Sequence, residues 1–150
     1  MHAVLCAAGG ELWAIPTAHV VEVLPIVRVH KHHAGTHRKQ TDWINYGGRV
    51  VPVWSFPAVL GNRDWRPRMS GRIVLVAPSA DRDRTSKLVG LLVASVSAGV
   101  RLPVPDPATD PEPATWAPIT LTSMGPVRWI EPRRLVDLLE SSDLEGRGAT

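Results

Sequence analysis

The chain has 150 residues, enough for one domain that buries about two-thirds of its unfolded surface, and its 44% hydrophobic and 21% charged residues fall in the globular range. Fourteen prolines and twelve glycines favour many short elements over long helices, and a single cysteine, Cys6, excludes an internal disulfide. The formal charge of +3 is uneven, with +5 over residues 1–75 and −2 over residues 76–150. The basic residues are scattered over predicted loops and form no stripe interleaved with aromatics, so nucleic-acid binding is not expected. No apolar run approaches the ~18 residues of a membrane span, and the N-terminal residues lack a basic leader region, so we expect a cytoplasmic protein with no direct membrane insertion.

In chain order, Ala3–Ala8 reads as a strand in which Cys6 is a small buried hydrophobe, Gly9-Gly10 as a two-residue turn, and Glu11–Ile15 as the returning strand. Pro16-Thr17 breaks the pattern. Ala18–Val21 predicts one helical turn, and Glu22–Val29 an alternating strand interrupted by Pro25. Glu22 is flanked by Val21 and Val23, and a carboxylate in such an apolar frame is either a solvated residue or an interface anchor. Four histidines then fall in the eight residues His30–His37. A closed metal site wants preorganised, separated ligands, and no Cys or carboxylate lies nearby, so the segment reads as a solvated loop.

The central stretch Thr41–Gly61 (TDWINYGGRVVPVWSFPAVLG) predicts a hairpin. Two adjacent glycines allow positive φ at both turn positions, folding Trp43–Tyr46 onto Arg49–Phe56. Pro52 cannot donate a ladder hydrogen bond, which places that strand at an edge or a bulge. A Pro57-opened helical turn closes at Gly61. Asn62–Gly71 is a basic loop, and Arg72–Ala77 (RIVLVA) is a buried strand by its continuous apolar run. Lys87–Val96 is its expected partner, joined through Ser79–Ser86. Pro103–Ala114, with five prolines and three acids, is an exposed extended loop. Ile119–Leu121 and Val127–Ile130 are short strands about Gly125-Pro126. Glu131-Pro132 opens a helix with Leu135, Val136, Leu138 and Leu139 on its apolar face, and a frayed tail begins at about residue 141.

No nucleophile elbow, P-loop, dinucleotide fingerprint, Cys-x-x-Cys or His-Glu-x-x-His occurs, and the carboxylates Asp81, Asp83, Asp106 and Asp110 lie in predicted loops. The residues therefore point to an all-β binding module without enzymatic activity or cofactor, docking partners through edge strands and an apolar groove.

Three segments carry a resemblance. Asp42-Trp-Ile-Asn-Tyr-Gly-Gly48-Arg-Val-Val-Pro52-Val53 through Leu60-Gly61, the opening Leu12-Trp-Ala-Ile-Pro16 with Val20-Val-Glu22-Val-Leu24, and the later Arg72–Val76 and Gly90–Val93 together resemble the CheW-like domain family. A closing strand and helix over Val127–Leu139 extend the likeness across nearly the whole chain. The resemblance implies two packed five-stranded SH3-like β-barrels with a groove between them and a short C-terminal helix, forming a single CheW-like domain over residues 1–150. It implies a non-enzymatic chemosensory adaptor that couples receptors to a CheA-type histidine kinase. The partners it implies are the regulatory domain of that kinase, the cytoplasmic tip of a chemoreceptor and other CheW-like domains. Carried over by position, the partner-binding residues are Val20, Glu22, Val23, Gly48, Arg49 and Val53. Four positions depart from the family pattern: Asp42 stands for Gly, Gly47 for Arg, Ser55 for Asp and Ala94 for an acid. The alternative is a barrel reused for another ligand, a metal on the histidine loop or a nucleic acid.

Overall fold

A computed structural model describes residues 1–26, 29–30, 42–79, 87–106 and 116–148. Among them run β1 (His2–Ala8), β2 (Glu11–Pro16), a 3-10 turn (Thr17–His19), β3 (Val20–Pro25), β4 (Asp42–Tyr46), β5 (Arg49–Ser55) and α1 (Phe56–Val59). They are followed by β6 (Arg72–Val76), β7 (Val89–Val93), β8 (Ser95–Arg101), β9 (Ile119–Thr122), β10 (Gly125–Trp129) and α2 (Pro132–Gly148). The fold is all-β, with two five-stranded sheets ordered β8-β1-β2-β10-β9 and β3-β6-β7-β5-β4. Contiguous strands β3–β7 make the second sheet, so it is inserted between β2 and β8 of the first.

Each sheet curls until its edges approach, the SH3-like packing expected, although among the described residues no continuous ladder closes either barrel. In the second sheet His30, beyond β3, exchanges backbone hydrogen bonds of 2.7 and 3.0 Å with Trp43 of β4, and the two rings stack at 4.0 Å. In the first, the Pro103 carbonyl beyond β8 accepts the Thr120 hydroxyl of β9 at 3.4 Å and the Trp129 indole N–H of β10 at 3.2 Å.

Alternation explains the apolar runs, because central strands are buried on both faces. In β6 and the residue after it, Ile73, Leu75 and Ala77 fill the second barrel with Ile44, Val51 and Val53. Val74 and Val76 face the opposite way, into a core shared by both barrels. There Trp13 meets Phe56 edge-on at 4.8 Å and stacks on Trp116 at 5.5 Å, while α2 contributes Leu135, Val136 and Leu139. Ala3, Leu5, Ala14, Val127 and Trp129 fill the first barrel. Cys6 is buried in the shared core and free, and burial pushes its thiol up to about 12, so it packs as a small hydrophobe.

Three expectations are corrected. Lys87–Val96 is not one strand: β7 ends at Val93, the Ala94 N–H turns to the Ala7 carbonyl at 2.9 Å, and β8 pairs with β1 in the other sheet. Continuous hydrophobicity carried no mark of that sheet change. Pro52 lies on an internal strand, between β4 and β7. The two-residue turn makes Tyr46 and Arg49 the first hydrogen-bonded pair, so the Trp43–Pro52 pair is non-bonded, and pairing to β7 begins only at Val53. No ladder donor is lost there. The strand expected over Glu22–Val29 is β3, Val20–Pro25, preceded by the 3-10 turn. The helix α2 spans Pro132–Gly148, and Glu140 on it is ion-paired with Lys87. Residues 31–37, 80–86 and 107–114 of the expected loops lie outside the described residues.

Candidate partner-binding surface

The β4–β5 hairpin turns through Gly47 (φ 59°) and Gly48 (φ 83°), two left-handed positions that only glycine adopts without strain, and the Gly48 N–H donates to Asn45 Oδ1 at 2.9 Å. The hairpin tip therefore stands out with Asn45, Gly47, Gly48 and Val50 exposed and Arg49 half-buried. Val50 is 65% exposed.

Strand β3 is an edge strand with a register shift between Val20 and Glu22, where Val21 is exposed. Val20 and Val23 pair with Val76 and Val74 and so turn toward the shared core. Glu22 pairs with Leu75, which faces the second barrel, and its exposed carboxylate reaches the barrel seam. There the Tyr46 hydroxyl donates to Glu22 Oε2 at 2.5 Å. That charge-assisted bond ties the β3 edge to the hairpin beside its turn.

The structure thus brings Glu22, Gly48 and Arg49 together at one end of the second barrel. It does not bring the other three residues onto that surface. Val20 and Val23 are half-buried supports beneath it, and Val53 is 4% exposed, at the far end of β5 inside the barrel. Sequence reasoning missed Tyr46, the residue that joins the two segments. Its signal was present, since the chain's one tyrosine stands directly before the Gly-Gly turn.

Two of the four departures have a local reading. Ser55 Oγ caps α1 by accepting the Ala58 N–H at 3.3 Å, a cap that Asp at that place also supplies. Gly47 holds a left-handed turn position where any side chain is strained. Among the described residues no three His, Cys, Asp or Glu converge as metal ligands, and the part of the metal alternative that falls on residues 31–37 lies outside them. No helix among the described residues is long and apolar enough to cross a membrane.

Two curled sheets clasped about a common core, with an exposed edge tied to a hairpin beside its turn, define a paired-barrel module. The chain belongs to the CheW-like domain family, whose model matches residues 2–138. Fifteen chains of solved structures match it, among them the crystal structure of the scaffolding protein TtCheW from Thermoanaerobacter tengcongensis. That match has a TM-score of 0.66 at 20% identity and covers 86% of this chain and 87% of TtCheW. No curated protein matches the chain.

Proposed function

We propose that this chain is a non-enzymatic chemosensory adaptor, working in the cytoplasm without a cofactor. In this reading it joins the regulatory domain of a CheA-type histidine kinase to the cytoplasmic tip of a chemoreceptor, and it also meets other CheW-like domains. Membership of the CheW-like family and the likeness to a protein described as a scaffold support the reading. The observation that carries the site assignment is the Tyr46–Glu22 bond, which fixes a carboxylate at an exposed, apolar-framed edge. A charge held in place there gives specificity and orientation to a protein contact. Val20 and Val23 support that edge, Gly48 and Arg49 extend it, and Val53 keeps the hairpin packed.

The test is isothermal titration of the full chain against the kinase regulatory domain. Glu22→Lys removes the acceptor and buries an unpaired ammonium in the contact, so affinity should fall by ~2–5 kcal/mol with melting temperature retained. Asp137→Lys, on the exposed face of α2, is the control and should leave affinity unchanged. Equal affinity for the parent and Glu22→Lys places the partner surface elsewhere.

A further inference from the structure

At the far end of the second barrel from the hairpin tip lies a cleft of about 550 Å³, within the ~300–1,000 Å³ range of small-molecule sites. Its walls are mainly apolar: Ile26 beyond β3, Val53 of β5, Leu92 of β7, and Trp65 and Pro67 of the α1–β6 loop.

That loop is built rather than draped. The Trp65 N–H donates to the Asn62 carbonyl at 3.3 Å and the Gly71 N–H to the Arg68 carbonyl at 2.9 Å. The Arg72 guanidinium donates to the Met69 and Gly71 carbonyls at 2.9 and 2.7 Å, and the Ser70 hydroxyl to the Ala94 carbonyl at 3.1 Å. Gly71 packs so closely on Ile26 that an added Cβ would come within 2.9 Å of its Cδ1.

The loop presents Arg63 and Arg66 to the cleft, both exposed, and neither forms an ion pair among the described residues. Arg66 spends one donor on the Trp65 carbonyl at 3.1 Å, and a guanidinium has four more. Asp42 stands on the same lining, and the apolar walls leave little polar surface to solvate a dense polyanion. Among the described residues, two exposed guanidinium groups thus stand beside a mainly apolar cleft.

We propose that this cleft binds a small apolar monocarboxylate, its hydrocarbon body between Trp65, Ile26 and Leu92 and its carboxylate on Arg63 and Arg66. The cleft shares Val53 with the packing of the adaptor hairpin but does not depend on that assignment.

The probe is naphthoate, titrated into the full chain and followed by amide chemical shifts. Naphthalenemethanol serves as the neutral analogue and inorganic phosphate as the polyanion. Naphthoate should bind with shifts centred on Ile26, Trp65 and Leu92, and the double variant Arg63→Gln/Arg66→Gln should lose about tenfold in affinity at unchanged melting temperature. Naphthalenemethanol should bind correspondingly weakly and phosphate not at this site. Unchanged affinity in the double variant, equal binding of the neutral analogue, phosphate binding at the cleft, shifts centred elsewhere, or no binding at millimolar naphthoate would each overturn the assignment.

Discussion

Glu22 and Tyr46 belong to opposite edges of a five-stranded sheet, and their hydrogen bond exists only because the sheet curls. Tyr46→Phe removes the donor at an exposed site, so its effect on stability should stay within about 1 kcal/mol. The Glu22 carboxylate is then free to wander, and kinase-domain affinity should fall severalfold while the melting temperature barely moves. A titration paired with thermal melts reads both. Cys6 gives a second expectation. Its thiol is held up to about 12 in the fold, against 9.0 when free, so the folded protein keeps a proton that the unfolded chain releases. The stabilisation is complete below pH 9 and is lost as pH rises from 9 toward 12. Cys6→Ala should lack that component, so denaturant curves of parent and variant measured from pH 8 to 11 should converge at the alkaline end; parallel curves would refute it. Burial of Cys6 was legible from the apolar run around it. The Tyr46–Glu22 contact was not, because it joins positions 24 apart across a barrel seam and no local pattern encodes closure.

Both glycine hairpins and strand β6 could be read from local chemistry, since Gly-Gly turns and a continuous apolar run are properties of a few adjacent residues. The division of Lys87–Val96 between two sheets could not, because apolar residues continue across the boundary from Val93 through Ala94 to Val96 and the change at Ala94 rests on a backbone bond to Ala7. Pro52 misled for a related reason: a proline forbids one hydrogen bond, and the register decides whether that bond was needed. The parallel β5–β7 pair supplies a further expectation. Gly90 lies opposite Val53, and an added Cβ would come within 3.0 Å of Val53 Cγ2 and 3.2 Å of Ile73 Cγ2. Both neighbours are β-branched and buried, with no room to retreat. Gly90→Ala should therefore destabilise by ~1–3 kcal/mol despite alanine's better backbone entropy, as a urea midpoint would show. The opposite kind of change, Leu139→Ala on α2, empties a fully buried site in the shared core and should cost ~2–5 kcal/mol.

The two barrels are distinct in topology yet hold their largest core in common, where Trp13, Val74, Leu91, Phe56 and Leu135 come from both sheets and both helices. Neither barrel can lose its structure without stripping apolar cover from the other. Unfolding should accordingly be a single transition, with calorimetric and van't Hoff enthalpies equal. Two resolved heat-capacity peaks would show the barrels to be independent. The insertion of one sheet within the other also sets a timetable for synthesis. The second sheet is complete once β7 has been made, whereas β1 and β2 emerge roughly 80 residues ahead of β8, and at ~5–20 residues per second they wait on the order of ten seconds for it. β10, the other neighbour of β2, arrives later still. Throughout that interval the nascent chain carries a bare, sticky hairpin out of the ribosome, and an apolar run that the finished protein buries is one its maker must shield for seconds.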